Sequence, residues 1–186
     1  MVAISGASGA AYARRLLEML QLAYDVVYVS ASDNALDIMR DELGAADLDA
    51  LLPDEERSKF SLLSSTDLSA PPASGCHDYE GLVIIPCSMG VVGRIAAGVS
   101  TDLVTRAADV CLKERRKLVL VVRETPLSLV HLRNLTALAE SGAIILPAAP
   151  AFYRSPKSVE DLVDFVVDRV LRTLDVETRL VKDWGQ

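Results

Sequence analysis

The sequence predicts an α/β fold: a three-layer α/β/α arrangement around a mostly parallel, doubly wound sheet, in a single domain over residues 1–186. Three observations predict it. Short apolar runs alternate with segments of helical period. Those runs are continuously apolar, as strands covered on both faces require. The turns that follow them are built from Gly, Ser, Pro and Ala.

The first strand is Val2–Ser5, and Gly6-Ala7-Ser8-Gly9-Ala10 is its turn. Ala11–Leu22 has helical period, with Leu16, Leu17, Met19 and Leu20 inward and Arg14, Arg15 and Glu18 solvated. Val26–Val29 is a second strand, and Ser32 is placed to cap a helix through about Leu43. Gly44–Ser74 is the least regular stretch, predicted as a short helix or two and then a loop. The Ala70–Gly75 segment, with its Pro-Pro pair, is extended: an ordered arm or a mobile lid. Leu82–Ile85 is a core strand, and Val91–Ala97 is a helix stopped by Gly98. A helix from about Thr101 leads into the strand Leu118–Val122, and Pro126 is placed to open the next helix, over Leu127–Ser141. Ala143–Leu146 is the last core strand, and Val159–Leu174 the last helix. The tail from about residue 175 carries the only tryptophan, Trp184, and is expected to pack on a neighbouring subunit.

A hydrophobic fraction of 51% over 186 residues supplies one sizeable core. The net charge of −7 argues against a nucleic-acid partner, which demands a basic stripe. No apolar run approaches the roughly 18 residues of a membrane span, and the first residues lack the basic and apolar regions of a signal peptide. Cys76, Cys87 and Cys111 lack zinc-like spacing, which suggests reduced thiols in a cytoplasm and no metal site.

Chemistry-bearing residues collect at strand ends, where open α/β sheets bind ligands. Gly6-Ala7-Ser8-Gly9 puts backbone amides at a helix start, suited either to an anion or to a tight turn alone. Ser88-Met89-Gly90 is similar. Arg123 and Glu124 follow a core strand, as a phosphate clamp and a proton-transfer group or as a surface ion pair. Arg106 and Lys113 lie seven residues apart on one helix, two turns along one face. Tyr153 lies in a Pro-rich turn, and Arg169 sits among apolar neighbours on the last helix. Cys87, at a helix start, is either an activated thiol or a buried small residue.

Long stretches resemble the UbiX-type flavin prenyltransferases: ISGASGA at Ile4–Ala10, PCSMG at Pro86–Gly90, TRAADVCLKERR at Thr105–Arg116, VRETP at Val122–Pro126, GAIILPAAPAFY at Gly142–Tyr153 and VEDLVDFVVDRVL at Val159–Leu171. The resemblance implies a Rossmann-like flavoprotein, assembled as a homo-oligomer, a dodecamer. It implies transfer of a dimethylallyl group from dimethylallyl monophosphate to N5 and C6 of reduced FMN without a metal. The product, prenylated FMN, would serve UbiD-type decarboxylases.

Residue by residue, the resemblance assigns Gly6, Ala7, Ser8, Ser32, Ser88, Met89, Gly90, Val91 and Arg123 to flavin binding. Ser30 is the alternative to Ser32. Val91 stands where Thr is common, removing a side-chain hydrogen bond while leaving the backbone contacts. Arg106, Lys113, Tyr153 and Arg169 match the prenyl-phosphate site, where they would stabilise the leaving phosphate. Ser8, Glu42 (with Asp41 as the alternative) and Glu124 match the catalytic positions. Two rival readings are a flavin-dependent cysteine decarboxylase, whose active-site histidine has no counterpart here, and a non-catalytic FMN-binding subunit, which has no use for the phosphate set.

Overall fold

The computed structural model describes residues 1–178, 180 and 181. Six parallel strands form one sheet: β1 (Val2–Ile4), β2 (Val27–Ala31), β3 (Phe60–Leu62), β4 (Gly81–Cys87), β5 (Lys117–Val122) and β6 (Ile144–Pro147). Their order is β3-β2-β1-β4-β5-β6. The chain therefore winds outward from β1 in one direction and from β4 in the other. Six α-helices cover the faces: α1 (Ala10–Leu20), α2 (Asp33–Leu43), α3 (Met89–Ala96), α4 (Leu103–Lys113), α5 (Leu129–Glu140) and α6 (Val159–Thr173).

The two faces bury separate cores. One joins alternate residues of β1, β2, β4 and β5 to α1 and α6, with Ile4, Leu16, Leu17, Val29 and Val170 among the buried residues. The other packs Ala3, Leu82, Ile84, Leu118 and Leu120 against α3, α4 and α5. Both faces of β4 and β5 are covered, which is why their sequences are apolar throughout.

Helix ends follow local chemistry. Ser32 caps α2 by accepting from Ala35 N at 3.3 Å. Asp102 and Thr105 form a reciprocal capping box on α4, and Ser158 and Asp161 form one on α6. Gly98 and Gly142 take positive φ just beyond α3 and α5, as stop residues do.

Four expectations change. The irregular stretch contains an edge strand, β3, too short to show a period of two. Pro126 does not open α5: it follows a cis bond to Thr125, and Ser128 caps the helix in a reciprocal bond with His131. The last strand is not a core strand, because β6 is a sheet edge and its residues are partly exposed. On α6 the spacing of three and four marks Leu162, Phe165, Val166, Arg169 and Val170; Val166 and Val170 are buried, with Val163, Val167, Asp168 and Leu171, whereas Leu162 and Phe165 are half-buried and Arg169 is exposed.

The Ala70–Gly75 segment is an ordered arm but not extended throughout, since Pro71–Ala73 form a 3₁₀ turn. Ala70 and Ala73 pack with Leu103, and Arg106 Nε donates to Ala73 O at 3.0 Å. Val176 and Leu180 pack on the chain's own core, and Trp184 lies outside the described residues. Among the described residues no helix is long and apolar enough to cross a membrane.

Candidate functional site

Because every strand is parallel, the turns after β1, β2, β4, β5 and β6 all lie on the carboxyl edge of the sheet. The winding reverses between β1 and β4, and the turns flanking that crevice are Gly6–Gly9 and Ser88–Gly90. This is the position where doubly wound sheets bind ligands. Both turns lead directly into helices, α1 and α3.

The first turn is crowded. A Cβ on Gly6 would stand 2.7 Å from Asn34 Cβ, and Gly9, at φ 117°, would meet the Tyr12 ring at 2.8 Å. Ser32 N donates to Ile4 O at 3.1 Å, which brings the cap of α2 beside this turn. Ser32 Oγ is engaged in that cap.

The exposed amides of α1 are already occupied by an anion from the chain itself. Glu42, at the far end of α2, accepts from Gly9 N at 3.0 and 3.1 Å and from Ala10 N at 2.8 Å. Burial pushes the Glu42 carboxyl up, but the Ser8 hydroxyl, the two amides and the Arg123 guanidinium together hold it below its ordinary value. Of the Gly6–Gly9 turn, read as suited either to an anion or to a tight turn alone, the Gly9 amide is thus taken by Glu42.

Arg123 reaches across the end of β4 from the end of β5, and its Nε donates to Ser8 O at 3.2 Å. Ser8, Glu42 and Arg123 thus form one constellation. Of the two readings of Arg123 and Glu124, the surface ion pair is not formed; Glu124 Oε1 accepts from Thr125 N at 3.1 Å on the exposed rim.

The second turn is open. Ser88 caps α3 without a side-chain bond, and a Cβ on Gly90 would meet nothing closer than Ser88 Oγ at 4.0 Å. The side chains of Met89 and Val91 are buried in the core, so this turn presents backbone outward. The α3 amides and the Ser88 hydroxyl are the polar groups this turn can offer to a ligand. Cys87 is fully buried, with its thiol pushed well up by burial, and belongs to the core.

The phosphate set expected from the resemblance is not brought together within one chain. Lys113 ends α4, before β5 begins, whereas Arg123 follows β5. The six-residue strand between them spans about 20 Å at ~3.3 Å per residue. Lys113 pairs with Glu114, and Arg106 with Asp109 at 2.8 Å. Tyr153 is exposed beyond β6 and lies edge-to-face on Phe165, with ring centroids 6.4 Å apart. Arg169 is exposed on α6 along a groove shared with Ile144–Pro147 and Phe165. A cavity of about 340 Å³ lies at the opposite edge of the sheet, lined by Tyr24, Tyr28, His77 and Tyr79, and holds none of the candidate residues.

Sequence reasoning missed two contributors. Tyr12 is half-buried beside Arg123, its hydroxyl pushed up by burial against the guanidinium's opposing pull. Ser5, read only as the end of a strand, is buried and its hydroxyl joins the two turns. A polar residue closing an apolar run was the available signal.

Residues 1–171 match the model of the Flavoprotein family. The flavin prenyltransferase UbiX of Pseudomonas aeruginosa is 43% identical, with 100% of this chain and 93% of that protein covered. The flavin prenyltransferase UbiX of Methanocaldococcus jannaschii is 40% identical, with 100% and 97% covered. Among solved structures, AnUbiX in complex with FMN and dimethylallyl pyrophosphate superposes with a TM-score of 0.89 at 38% identity, covering 100% of this chain and 96% of that one. A dodecameric FMN-dependent UbiX-like decarboxylase from Escherichia coli O157:H7 superposes at 0.86 with 38% identity, covering 95% and 96%. The FMN-dependent cysteine decarboxylase of thioviridamide biosynthesis, at 16% identity and a TM-score of 0.64, shares the fold alone. With full-length identity to both bacterial and archaeal members, and with its strand-end turns set as described, this chain belongs to the UbiX flavin prenyltransferase family.

Proposed function

We propose that this chain joins a dimethylallyl group from dimethylallyl monophosphate to N5 and C6 of reduced FMN, making the prenylated FMN used by UbiD-type decarboxylases. The observation that carries this reading is the Ser8–Glu42–Arg123 constellation at the β1/β4 crevice, beside the open turn at Ser88–Gly90. Gly6, Ala7, Ser8, Ser32, Ser88, Met89, Gly90, Val91 and Arg123 hold the flavin, mainly through backbone groups. When bound, reduced FMN supplies the nucleophile, so the protein need not provide one.

The residues divide the remaining work. The Ser8 hydroxyl lies beside the Glu42 carboxylate and helps to hold it ionised, so a proton released near Ser8 has an acceptor at hand. Glu124, on the rim and free of ion pairing to Arg123, moves a proton either to the departing phosphate or from the flavin C6. Arg106, Lys113, Tyr153 and Arg169 take up the charge of the leaving phosphate, the task a metal performs in other prenyl transfers.

That last set requires more than one copy of the chain. Lys113 and Arg123 lie at opposite ends of β5, so a complete site draws its cations from neighbouring subunits in a homo-oligomer, a dodecamer as in the E. coli relative. Leu127, Leu129, Val130 and Leu132 before β6 in the chain and Phe152 after it are exposed, apolar side chains that such an assembly would cover. The free thiols Cys76, Cys87 and Cys111 suit a reducing cytoplasm.

The decisive test is anaerobic incubation of reduced FMN with dimethylallyl monophosphate, with the diphosphate as a parallel arm. A flavin heavier by one C5H8 unit is expected by mass spectrometry. FMN bound with unchanged mass would leave the non-catalytic reading, and no FMN uptake at micromolar concentration would remove the flavin reading altogether.

A further inference from the structure

Ser5 stands at the end of β1 with 2% of its surface exposed. Its hydroxyl donates to Pro86 O at 2.9 Å and accepts from Ser88 N at 2.8 Å. Its own amide donates to Pro86 O at 3.3 Å. One small side chain therefore bonds on both sides of Cys87, the last residue of β4.

The location gives these bonds their consequence. The β1–β4 register is Val2↔Val83 and Ala3↔Ile84, and the β4–β5 register shifts between Ile84 and Cys87. Regular ladder pairing thus gives out just before Ser88. Beyond it, Arg123 N donates to Cys87 O at 3.2 Å on the β5 side, while on the β1 side the Ser5 amide reaches only as far as Pro86 O and the Ser5 hydroxyl carries the link on to Ser88 N. Ser88 is the N-cap of α3 and has no side-chain cap bond of its own. The last step between the Gly6–Ser8 and Ser88–Val91 turns, at Ser88 N, is therefore made by a side-chain bridge rather than by a backbone ladder bond.

We propose that Ser5 is a positioning residue that sets the distance and orientation of the second flavin turn relative to the first. The proposal rests on the reading of those two turns as the flavin site. Ser5 is too buried to touch the ligand and acts through Ser88. Removing the hydroxyl takes from the part-buried Ser88 N its bond to Ser5, which frees the turn to move.

The test compares Ser5→Ala, Ser5→Thr and Ser5→Val, using the FMN dissociation constant from flavin fluorescence quenching and the melting temperature without flavin. Ser5→Ala is expected to weaken FMN binding by about tenfold. Ser5→Thr, which keeps the hydroxyl, should bind FMN at least about fivefold more tightly than Ser5→Val, which matches its shape without the hydroxyl. That pair decides the matter if Ser5→Ala does not fold. A lowered melting temperature with unchanged FMN affinity would make Ser5 a purely structural residue and overturn the proposal, as would equal affinities for Thr and Val. A wild-type chain that takes up no FMN overturns the flavin reading together with this one, whereas wild-type binding matched by Ser5→Ala overturns this one alone.

Discussion

Glu42 closes the amino end of α1: its carboxylate accepts from Gly9 N at 3.0 and 3.1 Å and from Ala10 N at 2.8 Å, although 33 and 32 residues separate the partners. The bond ties the end of α2 to the first turn and gives the α1 dipole an internal counter-charge. Because the Ser8 hydroxyl lies beside the same carboxylate, changes at Glu42 will be read out in both stability and chemistry.

Glu42→Gln should lower stability at pH 7 by about 1 kcal/mol, a modest figure because the site is solvent-accessible. The wild-type carboxyl is held below its ordinary 4.5, so its contribution is complete above that value and is lost as pH falls through the lowered folded value. Melting curves at pH 7, 5 and 3 should show the gap between wild type and Glu42→Gln closing at the acid end. A gap unchanged at pH 3 would mean the charge is not the source.

Gly9→Ala should be strongly destabilising, by about 2 kcal/mol. Gly9 holds φ 117°, and the added Cβ would stand 2.8 Å from the Tyr12 ring. Thermal unfolding should drop by roughly 4–8 °C. A melting temperature within a degree of wild type would show that the turn has another accessible conformation.

Lys113→Ala and Arg123→Ala, each made separately, should cut prenyl transfer at least about tenfold. Mixed, dissociated and reassembled, the two variants should recover measurable activity, because some sites then combine an intact Lys113 from one copy with an intact Arg123 from another. Mixtures no more active than the separate variants would mean that each chain carries a complete site.

Glu124→Gln should still take up FMN, since Glu124 contacts only its own turn, through Thr125. Adduct maturation should slow by about 100-fold or more, the usual scale for a lost acid–base group. Stopped-flow spectra that superimpose on those of wild type would reduce Glu124 to a strand-end cap.

The sequence by itself determined the layers. Continuous apolar runs at Leu82–Ile85 and Leu118–Val122 could only be strands covered on both faces, and Ser32 and Gly98 marked helix ends through local backbone chemistry. Long motifs around Gly6, Ser88 and Arg123 marked the edge where a ligand would sit. Tertiary structure decided what those local signals could not carry. That Glu42 would fill the α1 terminus, that Arg123 would turn from Glu124 to Ser8, and that Ser5 would bridge two strands all depend on partners between 32 and 115 residues away. The strand order also decided that Lys113, close in sequence to Arg123, stands at the other end of β5. Nearness along a chain says little across a strand, because each residue adds about 3.3 Å in one direction.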